Sequence, residues 1–291
     1  MPQSKKHVVS RSANSTRPRV AVSVRAHFLC EKLLDLVDIL ISGVGYDFFV
    51  FADETKGPLD LGRVPADRII RYSTQMCAEL GLLGAFDDDP VLWYFSDYPF
   101  YCALHLIPGF DYYIMIDYDV EFVRGNAYAL ESLIARLRIA ENPPFDLVAP
   151  QFGTRPAEWG WSPACKGVFP KCYGAFFPIV VLSRRAAEYL YQWRRSEAAT
   201  KPKNGQYIFC EALVPSALVA AGGFQCADLN KLLPGCSNWS TFRVRPPMLL
   251  GRLPELDRSI EFVHPVYSLK EYRECDLSNP HELPMSPELP D

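Results

Sequence analysis

No apolar stretch in this sequence is long enough to span a bilayer. The longest runs, such as Phe176 to Leu182, fall well short of the ~20 residues that a membrane helix needs. Surplus positive charge is also missing: 30 Lys and Arg against 34 Asp and Glu leave a formal net charge of -4. Without a basic field, nucleic acid is not an expected partner. The nine cysteines are odd in number and include no Cys-x-x-Cys pair. That spacing offers no zinc site, and the cysteines read as reduced thiols, mostly buried. Glycine fingerprints are absent too. No Gly-x-Gly-x-x-Gly follows the first strand, and no Gly-x-x-x-x-Gly-Lys-Ser/Thr occurs anywhere. These absences argue against a dinucleotide-binding protein and a P-loop phosphotransferase. No internal repeat is present.

What remains is ordinary globular composition, 49% hydrophobic and 22% charged over 291 residues. This is enough chain for one large α/β domain or two small ones. Met1 to Arg19 is rich in Ser, Lys and Arg and has no apolar core segment, so it reads as a disordered basic tail and not a secretory signal. A cytoplasmic location follows as the expectation. The Pro- and Glu-rich end, residues 276–291, reads as a second loose tail. Peripheral attachment to a membrane stays open, although no basic amphipathic helix argues for it.

Strands and helices alternate along the chain. Arg19 to Arg25 and Tyr46 to Ala52 read as strands, and Arg68 to Tyr72 as a shorter one. Between the first two, Leu29, Leu33, Leu34, Val37 and Leu40 recur near a 3.6-residue period, and Gly43 and Gly45 stop that helix. Such alternation predicts βαβ units and a largely parallel sheet, with ligands at the carboxyl ends of the strands. By that rule Arg25, Ala26 and His27, Asp53 and Glu54, and Asp117 and Asp119 should line one rim.

The centre of the reading is Asp111-Tyr-Tyr-Ile-Met-Ile-Asp117-Tyr-Asp119. Tyr112 to Ile116 is short, apolar and β-forming, so it predicts a buried strand. Residues two apart on an extended chain share a face, which brings Asp117 and Asp119 together and turns Tyr118 away. Two carboxylates at the exit of a buried strand repel each other unless a cation lies between them. Magnesium and manganese prefer oxygen ligands and complete their shells with water and substrate phosphate. At ~4 Å and an effective dielectric of ~20, each unit charge pair is worth about 4 kcal/mol, and a divalent ion doubles that. A metal is therefore the natural neutraliser for a diphosphate that has no glycine cradle. Two solvated aspartates opening a turn remain the plain alternative.

Other segments carry two readings each. Asp97 caps a helix from about Tyr98 to Leu106, or else it edges a nucleotide pocket. Asp87 to Pro90 is an acidic turn. Gln151 to Phe169 is a long Trp-, Gly- and Pro-rich loop, in which Trp159 and Trp161 stack on a sugar or anchor the loop to the core. Cys172 to Leu182 contains Pro178 and so predicts an edge or bent strand, and Ser183 is a natural N-cap for the helix that follows. Tyr128 to Ala140 reads as a helix and Asp146 to Pro150 as a short strand. Lys201 to Gly205 is a turn, and Gln206 to Ala221 a helix interrupted by Pro215. Glu211 in that apolar helix is either exposed or partly buried with a raised pKa, the state that a general base needs. His264, ending the strand Ile260 to Val263, is structural or a third metal ligand.

Taken together in chain order, Asp117-Tyr-Asp119, Gly174 through Ser183-Arg, Glu211-Ala-Leu-Val-Pro-Ser and Val263-His264 resemble the GT-A class of nucleotide-sugar-dependent glycosyltransferases. The resemblance covers roughly residues 19–275. It implies one Rossmann-like domain with a mainly parallel sheet flanked by helices, a Mn2+ or Mg2+ ion and a nucleotide-diphosphate sugar. It also implies a hydroxyl acceptor on a glycan or glycolipid, with the donor a hexose or N-acetylhexosamine. By the resemblance, Asp119 and His264 hold the metal, and Asp117 meets the metal or the ribose. Asp53 meets the base or ribose, with Arg25, His27 and Asp97 on the donor side. Trp159, Trp161 and Gly174 face the acceptor sugar. The Glu211 segment resembles the catalytic-glutamate helix of inverting members such as the branching N-acetylglucosaminyltransferases. One departure is Cys210, where many inverting members carry a second acidic residue. Two other classes compete: a sugar nucleotidyltransferase, and a non-catalytic carbohydrate- or nucleotide-binding module of the same fold.

Overall fold

A computed structural model describes residues 17–82, 94–139, 145–200, 207–244 and 246–268. The acidic turn at Asp87–Pro90, the turn at Lys201–Gly205, the C-terminal tail and all but three residues of the N-terminal tail lie outside the described residues.

The strands are β1 (Val20–Ala26), β2 (Asp47–Asp53), β3 (Ile69–Tyr72), β4 (Tyr112–Asp117), β5 (Glu121–Phe122), β6 (Leu147–Ala149), β7 (Gly153–Thr154), β8 (Tyr173–Gly174), β9 (Ile179–Ser183), β10 (Cys226–Asp228), β11 (Met248–Leu249), β12 (Phe262–Val263) and β13 (Val266–Tyr267). Seven of them form the central sheet in the order β10-β6-β9-β4-β1-β2-β3. Every pairing is parallel except the two made by β9, which runs antiparallel between β4 and β6. The expected mainly parallel α/β domain is therefore what the chain forms.

Strand alternation places one buried cluster on each face of this sheet. Val20, Val22, Val24 and Ala26 of β1 join Tyr112, Ile114 and Ile116 of β4 beneath the Glu31–Ile41 helix. Ala21, Tyr113 and Met115 point to the opposite face, with the helices Tyr98–Leu106, Arg184–Thr200 and Cys210–Ala221. Both faces are dry, which is why β1 and β4 read as near-continuous apolar runs.

One expectation is corrected here. The Pro178 segment is not an edge strand. Pro178 precedes β9, and β9 itself lies inside the sheet. The proline needs no donor there, and its carbonyl accepts the Asp117 N–H at 2.8 Å. The predicted N-cap does form: Ser183 Oγ accepts the Ala186 N–H at 3.2 Å. The late helix starts at Cys210, shorter than the pattern from Gln206 suggested.

β1 is the topological switch point. The chain adds β2 and β3 on one side of it and then crosses to place β4 on the other, which opens a crevice at the carboxyl ends of β1 and β4.

Candidate active site

In the β1–β4 register Arg25 stands opposite Asp117 at the mouth of the crevice. Both lie on the face shared with Met115, as alternation requires. Arg25 Nη2 meets Asp117 Oδ1 at 2.6 Å. The same guanidinium donates to the Ser96 and Phe177 carbonyls, each at 2.7 Å. Arg25 is only 2% exposed. The expectation that it meets the donor is thus corrected: it is a buried strut that fixes Asp117 and the Phe177 peptide.

Asp117 and Asp119 do converge, but not through strand alternation. The strand stops at Asp117, and a turn closes with the Val120 N–H on the Asp117 carbonyl at 3.1 Å. Tyr118 leaves the cluster and packs edge-on against His27 and Phe28. The third member arrives from the far end of the chain. β12 pairs antiparallel with β5 in the register Val263↔Glu121, so His264 emerges beside Asp119. His264 Nε2 lies 3.2 Å from Asp119 Oδ1. One ligand atom each from Asp117, Asp119 and His264 lies within 4.8 Å of the others.

The electrostatics of this cluster suit a cation. His264 Nδ1 lies 3.0 Å from the Arg243 carbonyl, which can only accept. Nδ1 therefore carries the proton, and Nε2 is the ligand nitrogen that faces the carboxylates. Phe176 and Phe242 pack against the imidazole at ring separations of 5.3 and 5.7 Å and hold its plane. Burial works against a charge on His264, yet Asp119 and Asp117 outweigh it and raise its pKa. Burial likewise pushes Asp119 up, but the His264 charge and hydrogen bond bring it below the usual range. Asp117 is raised, chiefly by burial and against the pull of Arg25. Without a metal, a proton on His264 is what balances the aspartates. Two carboxylates and one neutral imidazole, convergent and backed by second hydrogen bonds, fit a divalent ion such as Mn2+.

Glu211 comes from a separate element. It opens the first turn of the Cys210–Ala221 helix, and its Oε1 accepts the Phe177 N–H at 3.2 Å. Pro215, four residues on, has no N–H for the Glu211 carbonyl, and that carbonyl takes the Ala175 N–H instead, at 3.0 Å. Glu211 thus grips the 175–177 segment with both main chain and side chain. Burial drives its pKa up to about 8; the Phe177 N–H and Arg155 pull the other way, and Asp117 adds to the rise. The residue before it, Cys210, is buried, with Sγ 2.8 Å from Ser96 Oγ. It offers no second acid.

The remaining predicted residues divide. Asp53 ends β2, nearly buried, and its Oδ1 accepts the Thr55 N–H at 2.8 Å. His27 is exposed beside it at the rim, and its pKa is lowered by desolvation against the pull of Asp53, Asp117 and Asp119. Asp97 is a correction: it is fully buried, with both oxygens on Arg194 at 2.7 and 3.1 Å and Tyr101 Oη at 2.7 Å. It lies at the N-cap position but makes no side-chain cap bond, and it has no edge to offer a nucleotide. Of the two readings of Trp161, the packing fits the anchor: it stacks on Phe209 at 4.3 Å with an interplanar angle of 16°. Trp159 packs against Gly174, where an added Cβ would lie 2.9 Å from its ring.

Sequence reasoning missed Arg155, Trp239, Phe176 and the Phe177 peptide. Phe176 and Phe177 carried no signal beyond an apolar run. Arg155 carried one: a cation four residues before the first tryptophan of the aromatic loop already singled out.

No protein-family model matches the sequence, and a search of curated proteins gives no match. Solved structures do align. A glycosyltransferase involved in glycosylating the major capsid of PBCV-1 is 14% identical, with 88% of this chain and 99% of that one covered and a TM-score of 0.47. The galactosyltransferase LgtC with donor and acceptor sugar analogs is 13% identical, with 87% and 81% covered and a TM-score of 0.40. Glucosyl-3-phosphoglycerate synthase from Mycobacterium tuberculosis, with Mn2+, uridine diphosphate and glucosyl-3-phosphoglycerate, is 11% identical, with 73% and 70% covered and a TM-score of 0.37.

Proposed function

We propose that this protein is a metal-dependent glycosyltransferase of the GT-A type. It moves a hexosyl or N-acetylhexosaminyl group from a nucleotide-diphosphate sugar to a hydroxyl on a glycan or glycolipid, inverting by single displacement. The carrying observation is a cluster suited to a cation with a further carboxyl close enough to feel it. The Asp117, Asp119 and His264 triad lies at the β1–β4 switch point, and the charges of Asp117 and His264 act on the carboxyl group of Glu211, which another element carries.

Each residue then has a task. Asp117, Asp119 and His264 Nε2 would hold Mn2+ or Mg2+, which acts as a Lewis acid on the diphosphate as negative charge grows there. Arg25 keeps Asp117 oriented from behind. Asp53 and His27 lie along the same rim, where ribose and base would run. Glu211 accepts the proton of the incoming hydroxyl in the transition state. Single displacement needs base and leaving group on opposite sides, and a base carried by a separate helix answers that requirement. The eight described cysteines are free thiols, which supports a reducing, cytoplasmic setting. No helix among the described residues is long and apolar enough to cross a membrane.

Calorimetry with a panel of nucleoside diphosphates and their sugars, with and without Mn2+, tests this reading. Binding that requires the metal and is lost at least tenfold in Asp119→Asn, with thermal unfolding still cooperative, is the expected result. Metal-independent binding, or Asp119→Asn with unchanged turnover, removes the mechanism. Binding with no transfer to any acceptor favours the non-catalytic module, and release of pyrophosphate favours a nucleotidyltransferase.

A further inference from the structure

Arg155 lies just past β7 and is held there by its N–H on the Cys172 carbonyl at 3.0 Å, continuing the β7–β8 pairing. Its guanidinium lies 5.3 Å from the Trp159 ring and 5.7 Å from the Trp239 ring. The two tryptophans come from separate loops, and Trp239 is 43% exposed. Gly174 makes room for this arrangement, since a Cβ there would fall 2.3 Å from Arg155 Nε.

The charge of Arg155 is not matched. Nη2 donates to the Gln151 carbonyl at 2.6 Å, and Nε is buried without an acceptor. No carboxylate forms an ion pair with it among the described residues. A half-buried, unpaired cation costs stability unless something compensates it. Desolvation lowers its pKa, which records that cost. Glu211, the Cys172 thiol and Asp228 act against that fall, and the first of them keeps its proton up to about pH 8. Arg155 is thus a cation coupled to the proposed base, with two tryptophan rings within 5.7 Å of its guanidinium.

Its charge bears on the Glu211 carboxyl and pulls that group's pKa down, which places it on the side of the proposed base. A guanidinium between aromatic faces is the usual chemistry for a planar oxoacid group next to an apolar sugar face. We propose that Arg155, flanked by Trp159 and Trp239, binds an anionic group, carboxylate or phosphate, on the acceptor, so that the acceptor is an acidic sugar or sugar phosphate. This rests on the glycosyltransferase reading for the word acceptor, but not for the anion site itself.

The test titrates the whole protein with methyl β-glucoside, methyl β-glucuronide and glucose 6-phosphate. Each probe is used with Mn2+, first alone and then with the nucleotide found in the donor titration. At least one charged probe should bind tenfold or more tightly than the glucoside, and which one does so separates carboxylate from phosphate. Arg155→Gln should abolish that preference and Arg155→Lys should restore part of it. Trp239→Ala, on an exposed side chain, should weaken all three probes in step. If Arg155→Gln does not fold, the preference of the native protein and the Trp239→Ala response decide. Equal binding of charged and neutral probes, or a preference that persists in Arg155→Gln, overturns the assignment. A purely structural Arg155 would change the melting temperature and leave the glucuronide-to-glucoside ratio untouched. Failure of nucleotide binding with the charge preference intact would sink the glycosyltransferase reading alone.

Discussion

At the scale of single residues, the proposed base Glu211 is the group whose titration can be read out. Its carboxyl is raised to about 8, chiefly by burial. A base works only after losing its proton, so kcat/KM should rise with pH, with a midpoint at or below about 8 once a cation offsets Asp117. A flat profile from pH 6 to 9 would point to another base. Stability should move the opposite way. Between the ordinary glutamate value of 4.5 and about 8 the folded state keeps a proton that the unfolded chain has released. Stability therefore falls as pH rises through that window. At about 1.4 kcal/mol per unit, reduced because the side chain is partly exposed, the loss amounts to a few kcal/mol. Glu211→Gln should remove transfer by at least 100-fold while flattening that decline. Denaturant midpoints at pH 5 and pH 9 check it: nearly equal to the native protein at the first, higher at the second.

At the scale of elements, Pro215 illustrates why a helix breaker is retained. A proline inside a helix costs about 3 kcal/mol relative to alanine. Here it withholds a donor from the Glu211 carbonyl, which binds Ala175 and so draws the 175–177 segment onto the helix start. Pro215→Ala supplies a competing N–H. It should stabilise by clearly less than 3 kcal/mol and lower kcat several-fold with little change in donor affinity. A gain near 3 kcal/mol with undiminished kcat would show that the proline does not shape the base. The sequence flagged Pro215 only as an interruption, because its use depends on a segment some forty residues upstream. The β5–β12 pairing carries the same lesson. The strand before His264 is legible in the chain, but its two-residue pairing with Glu121–Phe122 is not, and that register is what brings His264 to Asp119.

Across the whole molecule, one buried ion pair links the helices of a single face. Arg194 on the Arg184–Thr200 helix reaches Asp97 at the head of the Tyr98–Leu106 helix and the Ile208 carbonyl before the Cys210–Ala221 helix. Both charged side chains of the pair are fully buried. Removing one partner of a buried pair costs about 3–5 kcal/mol when it strands the other charge, but Arg194 also meets Glu197 Oε2 at 2.8 Å, so the loss falls at the lower end. Asp97→Asn should therefore lower the unfolding free energy by about 3 kcal/mol while metal and nucleotide affinities of the folded protein stay within about twofold. Unchanged stability with weakened nucleotide binding would return Asp97 to the pocket.

Sequence alone determined the alternation of strands and helices, the buried strand leading to Asp117, and the residue types able to hold a cation. Those are local properties of spacing and polarity, legible along the chain. Tertiary structure decided which of them meet. Arg25 and Asp97 look alike as rim charges in the sequence, and only packing shows both turned inward onto partners. Arg155 became notable only when a second loop set Trp239 beside it, with no carboxylate paired to it among the described residues, because an unpaired charge is defined by every neighbour that fails to reach it.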